Sequence, residues 1–139
     1  MTYTPLTAAA DTSTVTIAFF DGVGSATSTV NLEGNGVAAG NLVISEADTF
    51  DFGTYVINDV HEHTFTITND GDFATTLMSE ISLSAPYRYK DGGSGNIYPG
   101  DGGNCGTNLA GGINDSCTIV VEFAPVTTGT HLNLSLIHI

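Results

Sequence analysis

Apolar and polar residues alternate most regularly in the segment Cys117–Phe123. Ile119, Val121 and Phe123 occupy every second position there, and many of the neighbouring residues are β-branched. A period of two in such a segment predicts a β-strand with one buried face. Pro125 follows directly and lacks the N–H group that a sheet ladder needs, so the strand is expected to end before it.

Similar short segments recur along the whole chain. Asp21-Gly22 lies between two alternating runs, which is typical of hairpins, so residues 14–33 are predicted to form a β-hairpin with a loop longer than two residues. Many short strands separated by turn residues, without a helical period, predict an all-β antiparallel sandwich. The other predicted strands are residues 42–44, 50–55, 63–69, 77–83, 87–90 and 130–137.

Alternation also assigns side chains to faces, since successive residues of a strand point in opposite directions. Met78 and Glu80 are predicted to lie opposite the apolar face of their strand. Arg88 and Lys90 should share one face of an edge strand, where charge discourages pairing with other sheet edges. The residues predicted to share the apolar face of their strand are Val15, Ile17, Phe19, Phe65, Ile67, Leu77, Ile81, Leu83, Leu132, Leu134 and Leu136.

The beginning of the sequence resembles its end. Tyr3-Thr-Pro5-Leu-Thr7 matches Phe123-Ala-Pro125-Val-Thr127 at an offset of 120 residues. The alternating strand that begins at Val15 matches the one that begins at Leu132 at an offset of 117 residues. Such internal similarity indicates repeats. The chain is therefore expected to hold the last strands of one repeat and most of the next, as a window of a longer tandem array.

Cys105 and Cys117 are the two cysteines, and they flank a loop that contains Gly106, Gly111 and Gly112. The glycines let the two sulfurs meet, so a disulfide is predicted, which contributes about 3 kcal/mol through loop closure. Free thiols or half of a metal site are the alternatives, although no CxxC pattern or nearby His supports zinc. A disulfide favours an oxidising compartment.

The chain is strongly acidic, with 15 Asp and Glu against 2 Lys and Arg and a net charge of −13. Nucleic acids and anionic membranes are therefore poor partners, because binding their phosphates requires a cationic surface. No apolar run approaches the ~20 residues of a membrane span, and residues 1–25 lack the basic and apolar regions of a signal peptide. If the protein is exported, its signal is expected to lie outside this sequence.

A series of short motifs resembles, in the same order, the repeats of bacterial choice-of-anchor D proteins. These repeats are immunoglobulin-like domains related to the Hydin-type (ASH) domains. Leu32-Glu-Gly34-Asn-Gly36 is similar to the LxGxG sequence that ends each repeat of that family. The other motifs are Phe52-Gly53, Thr66-Ile-Thr-Asn69-Asp-Gly71, Cys105-Gly106, Cys117-Thr-Ile-Val-Val, Phe123-Ala-Pro125 and Thr128-Gly-Thr130.

The resemblance implies an immunoglobulin-like antiparallel β-sandwich in residues 41–139. Residues 1–40 would be the terminal hairpin of a preceding, truncated repeat together with a linker. The second copy stops before its own LxGxG, so its last strand is expected to be missing. The strand at residues 130–137 would then have an open edge, which predicts self-association.

The same resemblance implies a non-catalytic structural or adhesive role in a larger bacterial protein that is secreted or held at the cell surface. Neighbouring repeats of the same chain would be the partners, with a surface protein or a glycan as a further one. The residues agree, since no Ser lies in a GxSxG elbow and no His is placed to activate a nucleophile. No enzyme activity, catalytic residue or cofactor is expected.

His61 and His63 lie two positions apart in a predicted strand and therefore on one face. They could share a metal ion if a third ligand such as His131 came near. A polar start to the strand is the simpler interpretation, because no third ligand has motif spacing.

Residues 91–104 form an acidic, Gly-rich loop, which leaves a ligand-binding module as the alternative function. Asp91, Tyr98 and Asp101 are its candidate ligands for calcium or carbohydrate, although the loop fits no EF-hand pattern. Exposed rings at Tyr87, Tyr89 and Tyr98 would favour carbohydrate. A solvated turn is the simpler interpretation.

Overall fold

The computed structural model describes residues 2–46, 49–80, 82–91, 93, 97–112, 115–131 and 137–138. Within these residues the regular secondary structure consists of β-strands alone, and all the strands pair in antiparallel fashion. This confirms the predicted all-β class. The chain divides into two compact units, Met1–Ala38 and Ala39–Ile139. The strands are β1 (Ala10–Phe20), β2 (Ser25–Asn35), β3 (Leu42–Ile44), β4 (His61–Asn69), β5 (Ser79–Glu80), β6 (Tyr87–Tyr89), β7 (Asp115–Phe123) and β8 (Ile137–His138).

The first unit is built around the hairpin β1–β2, which confirms the hairpin predicted at residues 14–33 and extends it at both ends. The strands pair from Ala10↔Asn35 to Phe20↔Ser25. The Asp21 carboxylate accepts hydrogen bonds of 2.8 Å from the backbone N–H groups of Gly24 and Val23. These two N–H groups lower the pKa of the Asp21 carboxyl. The connection is thus a loop longer than two residues, as predicted.

The second unit contains a four-stranded sheet in the order β3-β4-β7-β6. Its centre is the ladder between β4 and β7, which runs from His61↔Phe123 to Asn69↔Asp115. A second, two-stranded sheet pairs β5 with β8, with Glu80 opposite Ile137. Two antiparallel sheets in one compact unit are consistent with a β-sandwich.

One face of the four-stranded sheet carries the core. Ile67 is fully buried, and Phe65 packs against the buried cluster, so the inward direction predicted for both residues is confirmed. Ile119, Val121 and Phe123 are also buried, as predicted. The buried cluster consists of Ile67, Met78, Tyr89, Cys105, Leu109, Cys117, Ile119 and Val121.

Strand β7 is buried on both faces, so the predicted single buried face is wrong. Val120 and Glu122, on the polar side of the alternation, are 4% and 8% exposed. Arg88 on the neighbouring strand donates from Nε to the Glu122 carboxylate at 2.7 Å. Val120 is bonded through its backbone to Pro99. Arg88 and the backbone at Pro99 and Gly102 lie on this face, and alternation within one strand cannot reveal contacts from other parts of the sequence.

The strand predicted at residues 50–55 is absent, because this described segment is irregular. Its apolar residues are nevertheless inward: the ring centroid of Phe50 lies 5.4 Å from that of Phe65, and that of Phe52 lies 5.6 Å from that of Phe123. Gly53, directly after Phe52, has a φ of 91°, which interrupts the extended geometry of the segment. The aromatic side chains thus cover the sheet without their backbone joining it.

The strand predicted at residues 77–83 is reduced to β5, and its faces are reversed at the start. Leu77, predicted inward, is 82% exposed, whereas Met78, predicted outward, is 2% exposed and belongs to the core. Leu77 has a φ of 57°, and a left-handed residue interrupts the alternation of an extended chain. Leu83 packs against the core as predicted, while Ile81 lies outside the described residues.

The segment predicted at residues 87–90 contains β6, which lies at an edge of its sheet as predicted. Its two cationic side chains, however, form ion pairs with acidic residues of the same sheet. Arg88 binds Glu122, and Lys90 Nζ lies 2.7 Å from the Glu62 carboxylate, which raises the pKa of Lys90. Both side chains reach across neighbouring strands because acidic partners are there.

The last predicted strand, residues 130–137, falls mostly outside the described residues. Leu132, Leu134 and Leu136 are among the residues that are not described. Thr130 and His131 are described and have no strand geometry, whereas Ile137 begins β8, which forms two residue pairs with β5.

Candidate functional site

The predicted disulfide between Cys105 and Cys117 is present, with a Cα–Cα distance of 4.8 Å. Both cysteines are buried and belong to the core cluster. Neither sulfur is available as a thiolate ligand in this form. A disulfide of this kind forms and persists in a non-reducing environment, such as the outside of the cell.

The second half of the predicted 91–104 loop is attached to the sheet. Val120 donates its backbone N–H to Pro99 at 2.8 Å, and Cys105 donates its own to Thr118 at 3.1 Å. Residues 99–105 therefore follow β7 beyond the end of β6, although they have no strand geometry. The sequence of this loop has no alternation of apolar and polar residues, so it did not predict that the loop would bond to β7.

The candidate ligand residues of this loop do not share one environment. Asp91 is exposed, and its carboxylate accepts a hydrogen bond of 2.8 Å from the N–H of Gly93. Asp101 is also exposed, and its backbone N–H donates to Lys90, beside Asp91 in the chain. Tyr98 turns away toward the core, with its ring centroid 5.6 Å from that of Tyr89. The two aspartates are thus exposed, whereas Tyr98 is half-buried.

The three tyrosines near the loop contribute to packing. Tyr89 is 3% exposed and donates its hydroxyl to Glu80 at 3.2 Å. Tyr87 donates its hydroxyl to the backbone carbonyl of His131 at 2.8 Å. The Tyr98 hydroxyl is shielded from solvent, and the described residues offer it no hydrogen-bond partner. Burial, and then the charge of a nearby carboxylate, raises the pKa of both Tyr87 and Tyr98. These rings do not form the flat exposed surface on which a sugar stacks.

The His61 and His63 imidazoles fill space between β4 and the segment at residues 50–55. The ring of His61 stacks on Tyr55, and that of His63 stacks on Phe50 with centroids 3.9 Å apart. His63 Nε2 also lies 3.4 Å from the Glu46 carboxylate. The structure therefore gives both histidines an aromatic neighbour on the core face.

His131, the third ligand considered for a metal, lies near other groups. Its ring centroid is 6.0 Å from that of Phe123, and a ring nitrogen is 3.2 Å from the carbonyl oxygen of Thr127. Across the described ranges of the chain, no three His, Cys, Asp or Glu residues are grouped so that they could hold a metal ion.

Asn69 at the end of β4 makes four side-chain hydrogen bonds to the backbone. It is fully buried, and its amide nitrogen donates to the carbonyls of Phe73 and Ala110 at 2.9 Å each. Its amide oxygen accepts from the N–H groups of Asn41 and Gly71 at 3.0 and 3.1 Å. One side chain thereby joins the backbone at Asn41, in the turn at residues 71–73 and at Ala110. In the sequence this residue was noted only as part of the motif Thr66–Gly71, and its hydrogen bonds to the backbone were not predicted.

The apolar side of the β1–β2 hairpin is a candidate interaction surface. In the antiparallel register Val15 faces Val30 and Phe19 faces Ala26, so their side chains share one face. Ile17, Phe19 and Val30 are 62%, 48% and 57% exposed. A two-stranded hairpin is marginally stable alone in water, so an exposed apolar face of this kind favours a partner. The hairpin face consists of Val15, Ile17, Phe19, Ala26, Val30 and Leu32.

The remaining observations concern the chain as a whole. No helix long and apolar enough to cross a membrane is found in the part of the chain that the structure describes. Comparison with protein-family models, with curated proteins and with solved structures finds no match to this chain.

Proposed function

We propose that this chain is part of a tandem array of immunoglobulin-like repeats that acts as a spacer in an extracellular or surface-attached protein. Its likeness to choice-of-anchor D repeats, the internal similarity between its two ends and the disulfide support this proposal. The proposed role is structural and adhesive, and it requires no catalytic group. The observation that carries it is the position of the chain connections on the Ala39–Ile139 unit.

The chain enters and leaves the sheet of this unit at opposite ends of β4. At the start, the backbone of Asn41 is bonded to the Asn69 side chain and to the N–H of Asp70, each at 3.0 Å. At the finish, Phe123 pairs with His61, and the carbonyl of Pro125 accepts from Asn58 at 2.8 Å. The nine residues of β4 between these ends span about 27 Å.

The hairpin corresponds to the two strands that complete such a repeat. With the offset of 117 residues, Ala10 corresponds to Thr127, just after Pro125. Ala10 pairs with Asn35, so the last strand of a complete repeat would return to the Pro125 end. Each repeat would then begin at one end of the sandwich and finish at the other. Units connected in this way extend in series, which is what a spacer requires.

The length contributed by each repeat tests this proposal. Because Pro125 matches Pro5, residues 39–125 followed by residues 6–38 should form one complete repeat, called here the joined repeat. Small-angle X-ray scattering should show that each added copy lengthens the particle by about 35 Å, from the length of β4 and a short linker. A three-copy protein no longer than a single copy would rule out the spacer role.

A further inference from the structure

We propose that one end of the Ala39–Ile139 unit carries an apolar patch that binds the opposite end of the next repeat, around Phe73. The inference rests on the proposed spacer role and adds to it the two surfaces through which successive repeats touch. The patch, called here the end patch, consists of Val56, Ile57, Val60 and Val126. These residues are 74%, 37%, 50% and 66% exposed, in that order.

Two backbone hydrogen bonds hold the end patch together at the Pro125 end of β4. The N–H of Asn58 donates to the carbonyl of Pro125 at 2.8 Å, and the N–H of Asp59 donates to that of Val56 at 3.1 Å. All four members of the patch therefore lie within a few residues of these bonds. A fixed cluster of exposed apolar side chains on a strongly acidic chain marks an interaction surface.

The internal similarity provides a second, independent observation of this surface. Pro125-Val126 matches Pro5-Leu6 at the offset of 120 residues, and Leu6 is 94% exposed. The residue after the proline is thus aliphatic and exposed in both copies. Neither side chain belongs to the buried core cluster, so its apolar character is not explained by the packing of its own unit.

The partner surface surrounds Phe73, which is 63% exposed at the opposite end of the unit. Its carbonyl accepts from the Asn69 side chain at 2.9 Å, and that side chain accepts from the N–H of Asn41 at 3.0 Å. Phe73 therefore lies beside the point where the chain enters the sheet. In the proposed array, this entry follows the end patch of the preceding repeat. The chain from Gly36 of one repeat to Asn41 of the next reaches about 18 Å at most, so the linker keeps the two surfaces close.

This tether compensates for the small size of the contact. The end patch exposes roughly 300 Å² of apolar surface, and with an equal area of the partner it reaches the lower limit for interfaces between domains of one chain. A short linker gives such a contact an effective concentration in the millimolar range. Separate chains should therefore bind each other through these surfaces only at comparable concentrations.

Charge predicts how salt affects the contact. Asp59 is exposed in the turn that carries the end patch, and Asp70 and Asp72 are exposed beside Phe73. These carboxylates repel one another when the two surfaces approach. Salt screens the repulsion and should strengthen the contact.

Paramagnetic broadening of NMR signals in the full chain tests this contact. One copy carries a nitroxide on Ala39→Cys, an exposed position at the entry of the unit, and the other copy is unsubstituted and isotope-labelled. At millimolar concentration the amide signals of the end patch should broaden, more strongly at high salt, and recover when ascorbate reduces the nitroxide. No broadening, or broadening confined to other residues, would overturn the proposal.

Two variants of the isotope-labelled copy provide the control. Val56→Glu places a charge in the end patch and should reduce the broadening at least about fivefold. Thr64→Glu adds the same charge at an exposed position of β4 and should leave the broadening within about twofold. Equal losses in both variants would also overturn the proposal.

The scattering experiment on tandem copies separates this inference from the spacer role. If the three-copy protein lengthens as expected while the mixed chains show no broadening, the contact fails and the spacer role stands. If the end patch broadens while the tandem protein does not lengthen, the spacer role fails and the contact stands.

Discussion

Replacing Asn69 with alanine is expected to lower the free energy of unfolding of the Ala39–Ile139 unit by about 4 kcal/mol. The change removes four hydrogen bonds, of which the one to the Gly71 N–H is buried and those to the backbone of Asn41, Phe73 and Ala110 are part-buried. Each buried group deprived of its partner costs about 1–3 kcal/mol, and partial access of water reduces the sum. Urea unfolding followed by circular dichroism measures the difference.

Two further variants identify the cause of that loss. Asn69→Asp keeps the shape but turns carboxylate oxygen toward the carbonyls of Phe73 and Ala110, so it should be at least as destabilising at neutral pH. Asn108→Ala, at an exposed position of the same unit, should change stability by less than about 0.5 kcal/mol. A loss below about 1 kcal/mol for Asn69→Ala would show that the four bonds do not hold the unit together.

Removing the disulfide with the double substitution Cys105→Ala and Cys117→Ala is expected to lower the unfolding free energy by about 3–5 kcal/mol. Releasing the loop between residues 12 positions apart accounts for about 3 kcal/mol, and the loss of two buried sulfur atoms adds to it. The urea midpoint of the oxidised chain should therefore exceed that of the double variant.

Reductant provides the control for this comparison. Dithiothreitol should shift the unsubstituted chain toward the double variant and leave the double variant unchanged. Equal midpoints for the oxidised chain and the double variant would show that the disulfide is incidental to stability.

Local patterns in the sequence predicted those parts of the fold that local patterns determine. The alternation at residues 63–69 and 117–123 identified β4 and β7, because a strand with a buried face repeats every two residues. Asp21-Gly22 identified the hairpin, and a Gly-rich loop between two cysteines identified the disulfide. Each of these signals lies within one short segment.

The errors arise where distant segments decide the structure. Phe50 and Phe52 were predicted to belong to a strand, yet their half-buried rings reach the sheet from an irregular segment. Leu77 is a non-glycine residue with positive φ, and nothing in its alternating surroundings indicates that conformation. Tyr98 lies in a loop without periodicity, but its ring packs beside Tyr89. The core cluster, assembled from segments far apart in sequence, determines these positions.

The joined repeat tests most directly whether the hairpin has the two strands that complete a repeat of the kind begun by the second unit. Residues 39–125 followed by residues 6–38 should unfold in one cooperative transition at a higher temperature than the natural chain. Hydrogen exchange should show the amides of Val15, Ile17 and Phe19 protected together with those of β4 and β7. An unchanged melting temperature, with the hairpin amides exchanging as fast as in a dilute solution of the natural chain, would contradict the repeat organisation.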